Sequence, residues 1–83
     1  MSPGPRRLGM PVVASVRASL DDGRPLTIDG RRVEAVRESG LVEDRWWTDR
    51  PLRRRYWEVV TADGRDVVVF RELRDGGWFA QRA

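Results

Sequence analysis

Tyr56-Trp57-Glu58-Val59-Val60-Thr61-Ala62-Asp63-Gly64-Arg65-Asp66-Val67-Val68-Val69-Phe70-Arg71-Glu72-Leu73 decides the fold. Residues 56–61 are aromatic or β-branched at nearly every position, a composition that suits a pleated, half-buried surface. Asp63-Gly64 reads as a two-residue hairpin turn, because Asp and Gly tolerate the left-handed backbone such turns require. Residues 67–73 form the return strand, and the four consecutive apolar residues 67–70 suggest burial on both faces. Downstream, Asp75-Gly76-Gly77 turns the chain again into Trp78-Phe79-Ala80-Gln81. Three strands joined by tight turns make an antiparallel meander.

Upstream, Val12, Ala14, Val16 and Ala18 alternate with polar residues, the period of two of a half-buried strand over residues 11–20. Asp21-Asp22-Gly23 ends it. Residues 24–28 give a short strand with Leu26 and Ile28 on one side, starting at Pro25 or lying on an edge, because proline cannot donate to a ladder. Asp29-Gly30 then signals a hairpin into residues 31–38. That segment has two readings: a helical turn, from Glu34, Ala35 and Glu38, or a strand, favoured by the preceding turn pair and by Val33 and Val36. Gly40 is read as breaking the pattern, with Leu41 and Val42 beginning another strand toward Trp46-Trp47. Residues 49–51 read as a loop, since Pro51 pushes Arg50 toward extended geometry. Residues 1–9, with two prolines and two glycines, read as a flexible tail, and residues 10–83 as a single small β domain. The four Asp-Gly pairs are unevenly spaced and read as turns rather than as a repeat. The expected fold is therefore all-β, with five to six short antiparallel strands in a meander that forms a small open barrel or a highly twisted sheet, because curling limits exposed edges.

The chain has 83 residues, 40% hydrophobic and 35% charged, the balance of one small folded domain with a thin core. It contains no cysteine and no histidine. Disulfides, thiolate metal sites, the commonest metal ligand and the commonest general base near neutral pH are thereby removed. All sixteen basic residues are arginine, and the net charge of +3 is too mild to indicate nucleic acid by itself. The absence of lysine has two readings, and GC-rich codon usage is the favoured one. Arginine forks also bind phosphate and stack on rings. No signal-peptide-like or membrane-spanning apolar run is present, and a cytoplasmic location is expected.

Six of the thirteen carboxylates lie in or beside turns, where Asp has a backbone reason to be. Glu43-Asp44 reads as a solvated charge pair rather than a cation site. No glycine-rich loop precedes a helix, and no serine has a histidine or lysine to activate it. The expectation is a non-enzymatic protein that needs no cofactor and no metal.

The residues that point to recognition are Trp46, Trp47, Arg53, Arg54, Arg55 and Tyr56, with Arg45, Arg50 and Trp57 beside them. Small β-barrels bind single-stranded nucleic acid by stacking bases on exposed aromatics beside cations. The structural alternative is that Trp47, Trp57, Phe70 and Trp78 form the core, with arginines lying over the ring faces. In an extended stretch Trp46 and Trp47 point to opposite faces, so one is buried and the other marks a contact surface.

Trp46-Trp47, Arg54-Arg55-Tyr56-Trp57-Glu58-Val59, Val69-Phe70-Arg71-Glu72-Leu73 and Gly76-Gly77-Trp78-Phe79, in that order, resemble a small uncharacterised domain. That domain is found at the C-terminus of ImuB-like homologues of Y-family DNA polymerases, and as free-standing actinobacterial-type proteins. The match covers residues 46–79, with looser similarity over 24–38. Family members often continue past the Trp-Phe pair with further apolar residues, so the last strand is expected to be short here. The resemblance implies nothing catalytic for the domain. It implies a context of damage-induced mutagenesis, in which the parents are non-catalytic partners of a replicative-type polymerase. Three readings follow: an interaction module binding a protein partner of DNA replication or repair, a binder of single-stranded DNA or RNA, and a structural domain or edge-strand homodimer.

Overall fold

A computed structural model describes residues 11–44 and 52–82. The described chain is all-β, with seven antiparallel strands and no helix. They are β1 (Val12–Val13), β2 (Val16–Ala18), β3 (Pro25–Ile28), β4 (Arg31–Asp44), β5 (Leu52–Thr61), β6 (Asp66–Glu72) and β7 (Trp78–Arg82). The order across the sheet is β1-β7-β6-β5-β4-β3-β2. The sheet curls into an open half-barrel, and only Ala14 and Ser15 separate its two edge strands in the chain.

The count exceeds the expected five to six because the alternating segment 11–20 serves both ends of the sheet. Val12 and Val13 pair with Ala80 and Phe79 of β7, whereas Val16 and Arg17 pair with Ile28 and Thr27 of β3. Asp29 fixes the switch between them. Its carboxylate accepts the Ser15 N–H at 2.8 Å, and its own N–H donates to the Ser15 carbonyl at 2.7 Å. Asp29 and Gly30 both take positive φ, 50° and 82°, as the tight β3–β4 turn requires.

Two expectations about local structure are corrected. Asp63-Gly64 is not a two-residue turn. Thr61 N–H donates to the Arg65 carbonyl, leaving a loop of residues 62–64 with Gly64 at φ 82°. Nor does Gly40 end a strand. Residues 31–38 are strand, and β4 runs unbroken through Gly40 to Asp44. An added Cβ at Gly40 would lie 2.8 Å from Tyr56 Cε1, so the Tyr56 ring lies across this glycine on the neighbouring strand. The ring restores the contact that glycine lacks. Further upstream, β4 bulges between Val33 and Ala35 and again between Val36 and Glu38, which steepens the local twist and helps the sheet curl.

The period of two in β5 and β6 sorts their side chains. Trp57, Val59, Thr61, Val67 and Val69 are buried, while Val60, Val68 and Phe70 on the other face are half-buried. Burial on both faces over 67–70 is therefore complete on the concave side only. Ala14, Ile28 and Ala80 complete the core, with Val16, Val33 and Trp78 packed against it. Each fully buried valine side chain contributes about 1.5–3 kcal/mol by leaving water.

Candidate functional site

β5 carries the arginine run, and its pleat divides it. Arg53 and Arg55 share the concave face with Trp57, and Arg54 shares the convex face with Tyr56. Arg53 Nη2 lies 3.7 Å from Glu43 Oε1, directly across the β4–β5 ladder. Glu43 is thus engaged with an arginine of its own hairpin. Arg54 Nε donates to Glu72 Oε2 at 2.7 Å, again directly across a ladder, and its guanidinium lies 5.8 Å from the Phe70 ring centre. Among the described residues this is the tightest ion pair, and Glu72 is its more buried member.

Arg55 is different. Its guanidinium lies 5.3 Å from the Trp57 ring centre. Arg71, its direct partner on β6, lies 5.6 Å from the Trp78 ring centre. The two indoles are tilted by 32° with centres 5.3 Å apart. Among the described residues, neither arginine has a carboxylate within ion-pair distance. Like charges directly opposite on a ladder repel, and stacking each guanidinium on an indole offsets part of that cost.

Trp57 is only 3% exposed and belongs to the core, while Trp78 is half-buried against it. The expected arrangement of core tryptophans with arginines over their faces is present for both. Phe70 departs from the core expectation, because it stands half-buried on the convex side between Tyr56 and Phe79. Tyr56 is held there by Gly40 and Phe70. Trp46, Trp47, Arg45 and Arg50 lie outside the described residues.

Sequence reasoning missed three features. The first is the outer margin of β4. From Val33 onward β4 pairs with β5 alone among the described residues, because β3 reaches only Arg31 and Arg32. Leu41 is 51% exposed there and Val42 39%. The second is the direct opposition of Glu38 and Glu58 on that hairpin. The third is a cavity of about 320 Å³ at the open side of the sheet, lined by Val12, Ile28, Thr61, Val67 and Ala80 with Arg31 and Arg82 among its polar walls. Only the exposed Leu41-Val42 pair left a trace in the sequence; the other two depend on register.

Among the described residues, two carboxyls titrate below their ordinary value. Asp22 is held down first by the Arg24 backbone N–H and then by the Arg24 side chain. Asp63 is held down chiefly by the Thr61 hydroxyl, which donates to it, with Arg31 and Arg65 adding attraction. Both lie in turns, and their partners explain them as turn-stabilising groups. Among the described residues, no group of three or more acidic side chains is arranged to hold a metal ion.

No family model, no curated protein and no solved structure matches the chain.

Proposed function

We propose that this domain is a non-enzymatic interaction module that works through protein–protein contacts. The observation that carries this reading is the division of the arginine run. Arg53 and Arg54 are held on opposite faces by Glu43 and Glu72 of the same chain, so the run does not converge on a phosphate track. The same hairpin presents Leu41 and Val42 to solvent, the apolar content a protein contact requires. By resemblance to the domain of ImuB-like proteins, the partner belongs to DNA replication or repair, with lesion bypass as the context. Trp46 and Trp47 adjoin this hairpin in sequence and are assigned to the contact on that ground alone. A pull-down comparing wild type with folded Trp46→Ala and Leu41→Lys variants tests the reading. Loss of a bound protein in either variant supports it. An unchanged set of bound proteins in both contradicts it.

A second reading rests on Arg55 and Arg71. Two opposed guanidinium groups over indoles, without a described carboxylate, suit the phosphates of single-stranded DNA or RNA. It predicts quenching of tryptophan fluorescence by an oligonucleotide at low salt, relieved steeply as salt rises. Unchanged fluorescence at low salt removes it.

A further inference from the structure

Among the described residues, the outer edge of β4 has no partner strand beyond Arg32, carries exposed apolar side chains, and includes an opposed pair of acids without an ion pair, and these three features point to one kind of occupant. We infer that residues 38–43 accept an extended segment of another protein as an added strand, with a basic residue of that segment beside Glu38. This deepens the protein-contact reading and rests on it.

The backbone argument comes first. From residue 38 onward β4 runs in regular register against β5, with no bulge to bend it away. Among the described residues its other margin pairs with nothing beyond Arg32, and so offers a regular row of N–H and C=O groups, the template on which extended peptides dock by strand addition. Bulges do interrupt β4 on either side of Ala35, so the usable stretch begins after them.

The side chains specify the occupant. Glu38 stands directly opposite Glu58, an arrangement that costs free energy unless a cation lies beside it. Among the described residues neither acid makes an ion pair within 4.0 Å. The neighbouring arginines are engaged elsewhere: Arg37 with Asp66 at 3.3 Å, Arg53 with Glu43 and Arg54 with Glu72. A strand added outside β4 places one residue next to Glu38 on the same face, about 4.5–5.5 Å away. An arginine or lysine there neutralises the pair. Val42 on that face and Leu41 on the other ask for apolar residues flanking the basic one.

A second copy of this chain does not satisfy the site. Residues opposed in an antiparallel two-fold pairing share a sheet face. Glu38 would then meet itself, Gly40 or Val42 within the regular stretch, and none of these is basic.

The test uses the full chain, isotope-labelled for amide NMR, and three nine-residue peptides. One alternates valine and threonine around a central arginine. The second replaces that arginine with glutamate. The third is the arginine peptide N-methylated at alternate amides on its pairing edge. The arginine peptide is expected to shift amides of residues 38–43, the glutamate peptide to bind at least tenfold more weakly, and the methylated peptide not to bind. In the double variant Glu38→Gln, Glu58→Gln the preference for arginine over glutamate is expected to fall below twofold. Absence of shifts in residues 38–43 overturns the inference, as does a preference that survives the double variant. A concentration-dependent dimer in sedimentation, with shifts at residues 38–43, also overturns it in favour of self-pairing. If these fail while Trp46→Ala or Leu41→Lys still loses a partner in the pull-down, the protein-contact reading stands and strand addition alone falls.

Discussion

Replacing Gly40 with alanine is expected to destabilise the fold, although alanine ordinarily suits a strand better than glycine. Gly40 does not have a positive φ, so its backbone conformation is open to any residue. Removing glycine's conformational freedom should by itself stabilise the strand by about 0.5–1 kcal/mol. The new Cβ, however, would sit 2.8 Å from Tyr56 Cε1, 3.0 Å from its Oη and 3.1 Å from Cζ. The ring must swing away from β4, and forced overpacking of this kind costs about 1–3 kcal/mol. The net expectation for Gly40→Ala is a loss of up to about 2.5 kcal/mol, the difference of the two contributions. Tyr56→Ala removes the obstacle, and in that background Gly40→Ala should stabilise by about 0.5–1 kcal/mol. The sign reversal is a coupling of about 1–3 kcal/mol, measurable by urea denaturation of the four proteins as a double-mutant cycle. If Gly40→Ala stabilises both backgrounds equally, the ring does not lie on the glycine and the continuity of β4 has another cause.

Asp29 combines a left-handed backbone with the bonds to Ser15 that extend the β2–β3 ladder to the point where the chain crosses to β1. Asp29→Asn keeps both and should cost little, Asp29→Gly loses the hydrogen bond alone at about 1 kcal/mol, and Asp29→Ala loses both at about 2–3 kcal/mol in denaturant melts. Trp57→Ala empties the centre of the core and should cost about 3–5 kcal/mol, comparable with the whole stability of a domain this size, so circular dichroism should show an unfolded chain. With no histidine, stability should stay flat from about pH 5.5 to 8. Asp63 and Asp22 have depressed folded-state values, so their contribution is present above the ordinary value of 3.8 and is lost as pH falls through the folded one. Thermal melts should therefore decline only in that acidic range, and Asp63→Asn should shallow the decline.

The hairpin at residues 56–73 and the Asp29-Gly30 turn were legible because both depend on neighbours in sequence. Of the interior, Trp57 was legible from its residue type, whereas the burial of Val59, Val67 and Val69 on one face only was not, because the apolar run 67–70 hides the alternation that also divides Arg53, Arg54 and Arg55 between faces. What could not be read depends on pairing between distant segments. The alternating run 11–20 divides into two strands because Ser15 is captured by Asp29 while Val13 is drawn to Phe79. Gly40 reads locally as a break, yet Tyr56 fills the space it leaves. The loop at Asp63-Gly64 is longer than its dipeptide suggests because Thr61 bonds to Arg65. In the site, cation–π packing over Trp57 and Trp78 follows from residue types. The opposition of Glu38 to Glu58, and of Arg55 to Arg71, exists only once register is known.

Amide hydrogen exchange along β4 in the unliganded protein tests most directly whether this hairpin offers a free edge. In an antiparallel ladder alternate N–H groups of an edge strand face its one neighbour and the others face solvent. The account predicts slow and fast exchange alternating through residues 38–44. Uniform protection would mean that the edge is already covered, and uniform rapid exchange would mean that this part of β4 is not paired with β5; either result contradicts it.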